Sequence, residues 1–344
     1  MPTIRMSNRT GLRPFFYSYL KNSMKKLFFS FIAMMIAAAG YAQTTLVATL
    51  THGDETSMFY GAFALRDAQD AAVDGDIVNL SGGSFQAVDI AKALTIRGTG
   101  VDDANPTCII GDFSINLMDG VSDRLSFEGC RITGTISVVG VLSNAYFLKS
   151  YIGGIYAYPG SSMINGLFVN CQMHRVHLEE SSSVQLVNSY VENCYINSSN
   201  ATASFTNCVI NDSDATNIRR SQFANCIFCS PMNGTFLAYD SSATNCVAAG
   251  SDDDRHMFFD HLGLKQNCQF ADLDIFQDSD ICKDLTEEAK AEYLGTDGTP
   301  VGMYGGTFPY DMTPTYPRIT KMNVASKSTA DGKLSVEVEV SALQ

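Results

Sequence analysis

Basic residues are scarce in this chain: 23 Lys and Arg stand against 36 Asp and Glu over 344 residues, a net charge of −13. That balance repels phosphate backbones and excludes nucleic acid as a natural partner. Long apolar runs are scarce too. The longest, Leu27 to Ala39, falls short of the ~20 residues a bilayer span requires, so no transmembrane segment is expected in the mature chain. Helical periodicity is missing from the middle of the sequence, as is the leucine framework of leucine-rich repeats. Most of the ten cysteines recur at steps of about 20 residues, not at the ~2–4-residue spacing of a zinc-chelating pair.

What is present begins with a leader. Lys25-Lys26 precede the apolar run, and small residues with "GYAQ" follow it. This is the pattern of a secretory signal peptide. Residues 1–42 are read as that peptide, cut after Ala42, with Met24 as the true start. No cysteine follows the cut, so a lipid anchor is not expected. Six of the 23 basic residues leave with the leader, so the mature chain has 17 against 36 acidic ones, a net of −19. The expected location is the periplasm, the cell surface or the extracellular space.

A repeat dominates the rest. Aligned on one small residue, "LSFEGCRI", "AYFLKSYI", "GLFVNCQM", "VQLVNSYV", "ASFTNCVI", "SQFANCIF" and "SSATNCVA" follow one another. The anchor reads Cys130, Ser150, Cys171, Ser189, Cys208, Cys226, Cys246, at intervals of 20, 21, 18, 19, 18 and 20. Three positions earlier stand Phe127, Phe147, Phe168, Leu186, Phe205, Phe223 and Ala243. Two positions later stand Ile132, Ile152, Met173, Val191, Ile210, Phe228 and Ala248. Asn170, Asn188, Asn207, Asn225 and Asn245 form a column just before the anchor. Short β-rich runs at this period describe a parallel β-helix, in which like side chains stack on successive coils. Asn suits the left-handed bend at each corner, and a small Cys or Ser fits beside it. The cysteines are therefore expected as buried free thiols, Cys194 and Cys229 included. Cys268 and Cys282 fall past the repeat, and a bridge between them stays open.

The ends of a stack of strands need covering. "GAFALRDAQDAAVDGD" spaces Phe63, Leu65, Ala68 and Ala72 for a capping helix. "LTEEAKAEYL" predicts a short helix at the far end, and two alternating runs around Asp331-Gly332 predict a hairpin. The expected organisation is leader 1–42, β-helix with its N-terminal cap 43–282, and C-terminal capping segment with hairpin 283–344.

At this point the chain resembles a family. "AVDGDIVNLSGGSFQAVDIAKALTIRGTG" is similar to the opening segment of right-handed parallel β-helix proteins of the pectate-lyase-like superfamily. There a helix leads through a Gly-Asp step into a first strand, a Gly-rich turn and a second strand. "GTDGTPVGMYGGTFPYD" resembles a terminal segment of secreted β-helix proteins of Bacteroidetes, whose signal peptides often end in "YAQ". The resemblance covers roughly residues 44–325 and implies an all-β, right-handed parallel β-helix. It implies no single activity, since such proteins include lyases, hydrolases, esterases and non-catalytic surface proteins. A lyase of this kind holds calcium on carboxylates of adjacent coils beside an Arg or Lys base; a hydrolase clusters carboxylates.

Neither set is legible. Between Ile109 and Gly250 the basic residues are Arg124, Arg131, Lys149, Arg175, Arg219 and Arg220, and the nearest acidic ones are Glu179, Glu192, Asp212 and Asp214. These read as a solvated acidic face. Asp252, Asp254 and Asp260 are weak cation candidates in a run that reads as a loop leaving the coil. No cofactor is expected; calcium is the ion a lyase would use. Tyr156, Tyr158, Arg175, His177, Glu179, Tyr195 and Asn197 recur six and eight positions after the anchors or close by. With Ile155, Val176 and Cys194 inward, alternation sends the recurring residues outward as an aromatic and polar strip, a surface that sugars favour. The expected function is non-catalytic binding of a polysaccharide or cell-surface glycan. The alternatives are a polysaccharide lyase or glycoside hydrolase, and a purely structural envelope protein.

Overall fold

The two apolar columns become two neighbouring ladders. The computed structural model describes residues 46–102, 104–117, 124–196, 200–211, 218, 220–229, 240–250, 264–279, 281–324, 332–333 and 336–341. Ile96, Phe127, Phe147, Phe168, Leu186, Phe205, Phe223 and Ala243 face one another along successive parallel strands of a first sheet. Ile109, Ile132, Ile152, Met173, Val191, Ile210, Phe228 and Ala248 do so in a second. The protein is nearly all β, a parallel solenoid of about eight turns with two short α-helices among the described residues. A two-stranded ladder, Val141–Ser143 beside Ser162–Ile164, adds a third side to two coils.

In-register stacking is what builds the core. Phe127, Phe147 and Phe168 lie nearly parallel, with centroids 5.6 and 4.9 Å apart, and Phe205 and Phe223 repeat the contact at 4.9 Å. Offset stacking of this kind adds about 0.5–1.5 kcal/mol per pair beyond burial. Between the sheets the chain turns through one residue of positive φ per coil: Gly129, Lys149, Asn170, Asn188, Asn207, Asn225, Asn245 and Asn267, all between 46° and 65°. Asn tolerates this left-handed conformation better than most residues, and so the column is mostly Asn.

Beside each bend sits the small anchor. The thiols of Cys171, Cys208, Cys226 and Cys246 each donate to the carbonyl two residues back, at 3.3–3.4 Å. Burial pushes the Cys171 thiol up to about 12. Such thiols are inert small core residues.

The coil runs one turn further than the repeat suggested. Cys268 does not lie past the coils: Asn267-Cys268 is another corner, with Lys265 paired to Ala243 and Phe270 paired to Ala248. Lys265 at the Phe position hid this copy in the sequence. That final coil is exposed at Leu264 and Phe270.

At the other end the helix Ala64–Ala71 buries Leu65 and Ala68, and Ala72 is buried just beyond it. Phe63 instead turns to solvent at 53 % exposure, so the apolar spacing overreached by one residue. A hairpin, Val47–His52 with Glu55–Tyr60 around Gly53-Asp54, joins this cap and pairs antiparallel with Ile77–Leu80. Lys92 fastens the helix: its Nζ donates to the carbonyls of Gln69, Asp70 and Ala72 at 2.6–3.1 Å. A cation at a helix C-terminus complements both dipole and orphan carbonyls. Lys92→Met is expected to cost about 1–2 kcal/mol in urea denaturation; an unchanged midpoint would remove this role.

The C-terminal segment covers the side of the coil. Val209, Ile227, Cys229 and Val247 point outward from the second sheet and share an apolar cluster with Ile275, Phe276, Cys282, Leu285 and Ala289. Ala289 belongs to the short helix Glu287–Glu292, capped by Thr286. From there the chain climbs the corner column, meeting one coil after another. Thr296 N donates to Asn225 Oδ1 at 2.9 Å, and Asn188 Nδ2 donates to the carbonyls of Met303 and Gly305 at 2.9 and 2.7 Å. Lys149 Nζ then reaches Asp311 and Thr313, and Thr315 N reaches Glu128. Close approach demands glycine here: a Cβ on Gly306, at φ 79°, would stand 2.1 Å from Asn207 Nδ2. The final hairpin, Arg318–Val324 with Val336–Ser341, is antiparallel as its alternation suggested.

Candidate functional site

The outward strip is built by a bend in the second sheet. Its middle strands, Arg131–Val138, Tyr151–Ala157, Gln172–Leu178 and Tyr190–Ile196, are long enough to turn and continue. The turn brings coils close: a Cβ on Gly134 would sit 2.2 Å from the Gly111 carbonyl oxygen. Beyond it Ile136, Ile155, Val176 and Cys194 resume the core. Their neighbours Tyr156, His177 and Tyr195 therefore face out, in register on three coils.

These rings stack. Tyr156 and His177 have centroids 5.5 Å apart at 23°, and His177 and Tyr195 are 4.4 Å apart at 30°. Tyr158 stacks on Tyr156 at 5.3 Å and tilts against His177 at 5.5 Å. The geometry modifies the expectation of a flat platform. Rings stacked along the coil axis cover one another's faces, so His177 offers solvent its edge rather than its plane. Tyr158, 47 % exposed, is the most open of the tyrosines in the strip.

Polar groups line the same strip. Arg175 Nη1 donates to Tyr156 Oη at 3.0 Å, and His177 Nε2 pairs with Glu179 at 2.9 Å. His174 Nδ1 pairs with Glu192 on the next coil, and Asn193 Nδ2 donates to the His174 carbonyl at 3.3 Å. Asn197 lies outside the described residues, as do Asp252, Asp254 and Asp260. Among the described residues no three His, Cys, Asp or Glu side chains converge as a metal-binding group would.

The C-terminal segment adds a residue that the repeat could not reveal. Lys283 Nζ stands 4.6 Å over the ring of Tyr190, on the strand that carries Glu192 and Tyr195. Burial pulls its ammonium below the usual lysine range, with the Glu192 charge opposing. Burial also pushes the Tyr190 hydroxyl up to about 12, though Asn211 donates to it at 2.8 Å. Arg175 is legible with the strip, whereas His174 and Lys283 stand in the sequence only as isolated basic residues. The ensemble can hydrogen-bond hydroxyls in several directions around an aromatic ridge.

A separate groove of about 290 Å³ lies on the outer face of the first sheet, lined by Gln185, Ser204, Gln222, Thr202 and Ser183. Val184, Ala203 and Arg220 line it as well, so it is part polar and part apolar, and it lies on a different sheet from the aromatic strip.

The fold thus defines the class: a parallel β-solenoid with a laterally docked C-terminal segment. Compared with family models, curated proteins and solved structures, the chain matches none. No helix among the described residues is long and apolar enough to cross a membrane.

Proposed function

We propose that this protein is a secreted, non-catalytic binding protein of the cell envelope or extracellular space, and that its ligand is a polysaccharide or cell-surface glycan. The observation carrying this reading is the in-register stack of Tyr156, His177 and Tyr195, with Tyr158, Arg175 and Glu179 beside it. Stacking fixes the rings against rotation, so hydroxyl and imidazole edges are held ready at little entropic cost. Sugar hydroxyls then bond along the ridge while an apolar sugar face rests on Tyr158. The acidic balance of the chain favours neutral or cation-bridged glycans over polyanions.

Immobilised polysaccharides, with and without calcium, test this reading. Wild-type protein is expected to be retained on at least one glycan and to release no product. Tyr156→Ala/Tyr195→Ala is expected to lose affinity about tenfold or more, each aromatic contact contributing about 1 kcal/mol. Unchanged retention by the double variant would remove the strip from the function.

A catalytic reading, polysaccharide lyase or glycoside hydrolase, has one observation in its favour. Lys283, with its lowered pKa, shares the strip's surroundings with His174 and Glu192, and perturbed groups gather at active sites. Release of unsaturated or reducing sugars, abolished by Lys283→Met, would establish it. Neither retention nor release would leave a purely structural envelope role.

A further inference from the structure

We propose that Cys229 and Cys282 form a disulfide that fastens the C-terminal segment to the outer face of the second sheet. Cys229 ends the strand Ile227–Cys229 and points outward, into the apolar cluster that the segment covers. Cys282 enters that cluster from the opposite side, and the Cys229 thiol lies 3.6 Å from its carbonyl oxygen. Both are buried, at 1 % and 2 % exposure. Both thiols are free in the structure, with Cys282 Sγ donating to the Ser279 carbonyl at 2.9 Å, so closing the bond takes a rotation of that side chain toward Cys229.

The anchor thiols differ. Cys208, Cys226, Cys246 and Cys268 sit on successive coils of one column. Residues stacked in register carry parallel Cα–Cβ bonds about 4.8 Å apart, beyond the ~3.5–4.5 Å Cβ separation of a disulfide. Their thiols donate to carbonyls, as the thiols of Cys229 and Cys282 also do, so parallel stacking and not hydrogen bonding is what sets the column apart. Of the ten cysteines, the outward pair is the one built for a cross-link. It is not the pair 268–282 left open by the sequence, because Cys268 is held in the column.

The chemistry balances with a dithiol-oxidising disulfide, either a small-molecule disulfide or the active-site disulfide of an oxidase. One protein thiolate attacks that disulfide, expels a thiolate and forms a mixed disulfide. The second protein thiolate attacks the mixed bond, closing Cys229–Cys282 and expelling the other thiolate. The protein sulfurs lose two electrons, the donor becomes two thiols, and the two protons move from protein to donor. Burial holds the Cys229 thiol well above its ordinary range, which disfavours thiolate attack once the segment has docked.

The test uses the full chain exported to an oxidising periplasm, denatured, alkylated and mapped without reduction. The expected result is one peptide pair joining Cys229 to Cys282, two hydrogens lighter than its parts, with the remaining thiols alkylated. Reductant should lower the melting midpoint by about 5 °C or more, since a long loop is released. Cys229→Ser and Cys282→Ser should each lack the linked peptide and lose that sensitivity to reductant. Alkylation of both residues in the wild-type protein, or linkage through a column thiol such as Cys246–Cys268, overturns the proposal.

Discussion

Phe168→Ala is expected to destabilise the protein by about 3–5 kcal/mol, the range for removing a buried aromatic side chain. Phe168 is fully buried, lies 4.9 Å from Phe147 at 8° and sits above Leu186 in the ladder. Each coil touches only its neighbours, so a cavity in a central coil weakens two interfaces at once. The adjacent Val169 faces the opposite way and is half-buried. Val169→Ala should therefore cost under about 1.5 kcal/mol. Equilibrium urea unfolding of the two variants compares them directly. Equal losses would mean that the strand does not present alternate faces as described.

Asn188→Ala is expected to cost about 3–5 kcal/mol through two separable causes. The residue adopts φ 46°, which Asn tolerates and Ala resists by about 1–2 kcal/mol. Its buried Nδ2 also bonds the carbonyls of Met303 and Gly305, each of which loses a partner at about 1–3 kcal/mol, offset in part by water reaching the site. Asn188→Gly relieves the backbone and removes only the amide, so it should recover about 1 kcal/mol relative to Ala. Hydrogen exchange adds a spatial readout: protection of the Tyr310 amide, which bonds the Met303 carbonyl at 2.8 Å, should fall in both variants. Protection unchanged in either would separate the climbing segment from the Asn column.

Those two substitutions also mark what was legible before any coordinates. Phe168 and Asn188 belong to columns that the sequence displays, because a solenoid places each position over its equivalent and selects the same side chain again. The inward Phe column, the left-handed Asn corner and the outward Tyr-His-Tyr ladder follow from period and alternation alone. The direction in which the rings face did not follow, since it depends on side-chain rotation rather than on register. The partners of the Asn column were equally hidden: Asn188 meets Met303 across 115 residues and Glu128 meets Thr315 across 187. No periodic signal spans such distances. The donor row still hinted at something, because buried carboxamides demand acceptors. The N-terminal hairpin carries only a local signal, the turn residues Gly53-Asp54 between two short β-rich runs. The last coil was masked by Lys265 standing where phenylalanine recurs.

The site's chemistry is less legible than its placement for a related reason. Tyr156, His177 and Tyr195 come together through the repeat, whereas Lys283 arrives from a segment that docks laterally. Aromatic and imidazole groups in a row specify where a ligand can lie and leave its sugar composition to experiment.

The in-register stacking of coils underlies the core, the corner and the exposed ladder alike. It is measured most directly by electron dipolar spectroscopy on nitroxides at Ser126 and Ser242, outward positions of the first sheet separated by six ladder steps. Steps of about 4.8 Å put the labelled backbones about 29 Å apart, in one narrow distribution. A broad distribution, or a mean displaced by more than about two ladder steps, would contradict the stacked coil.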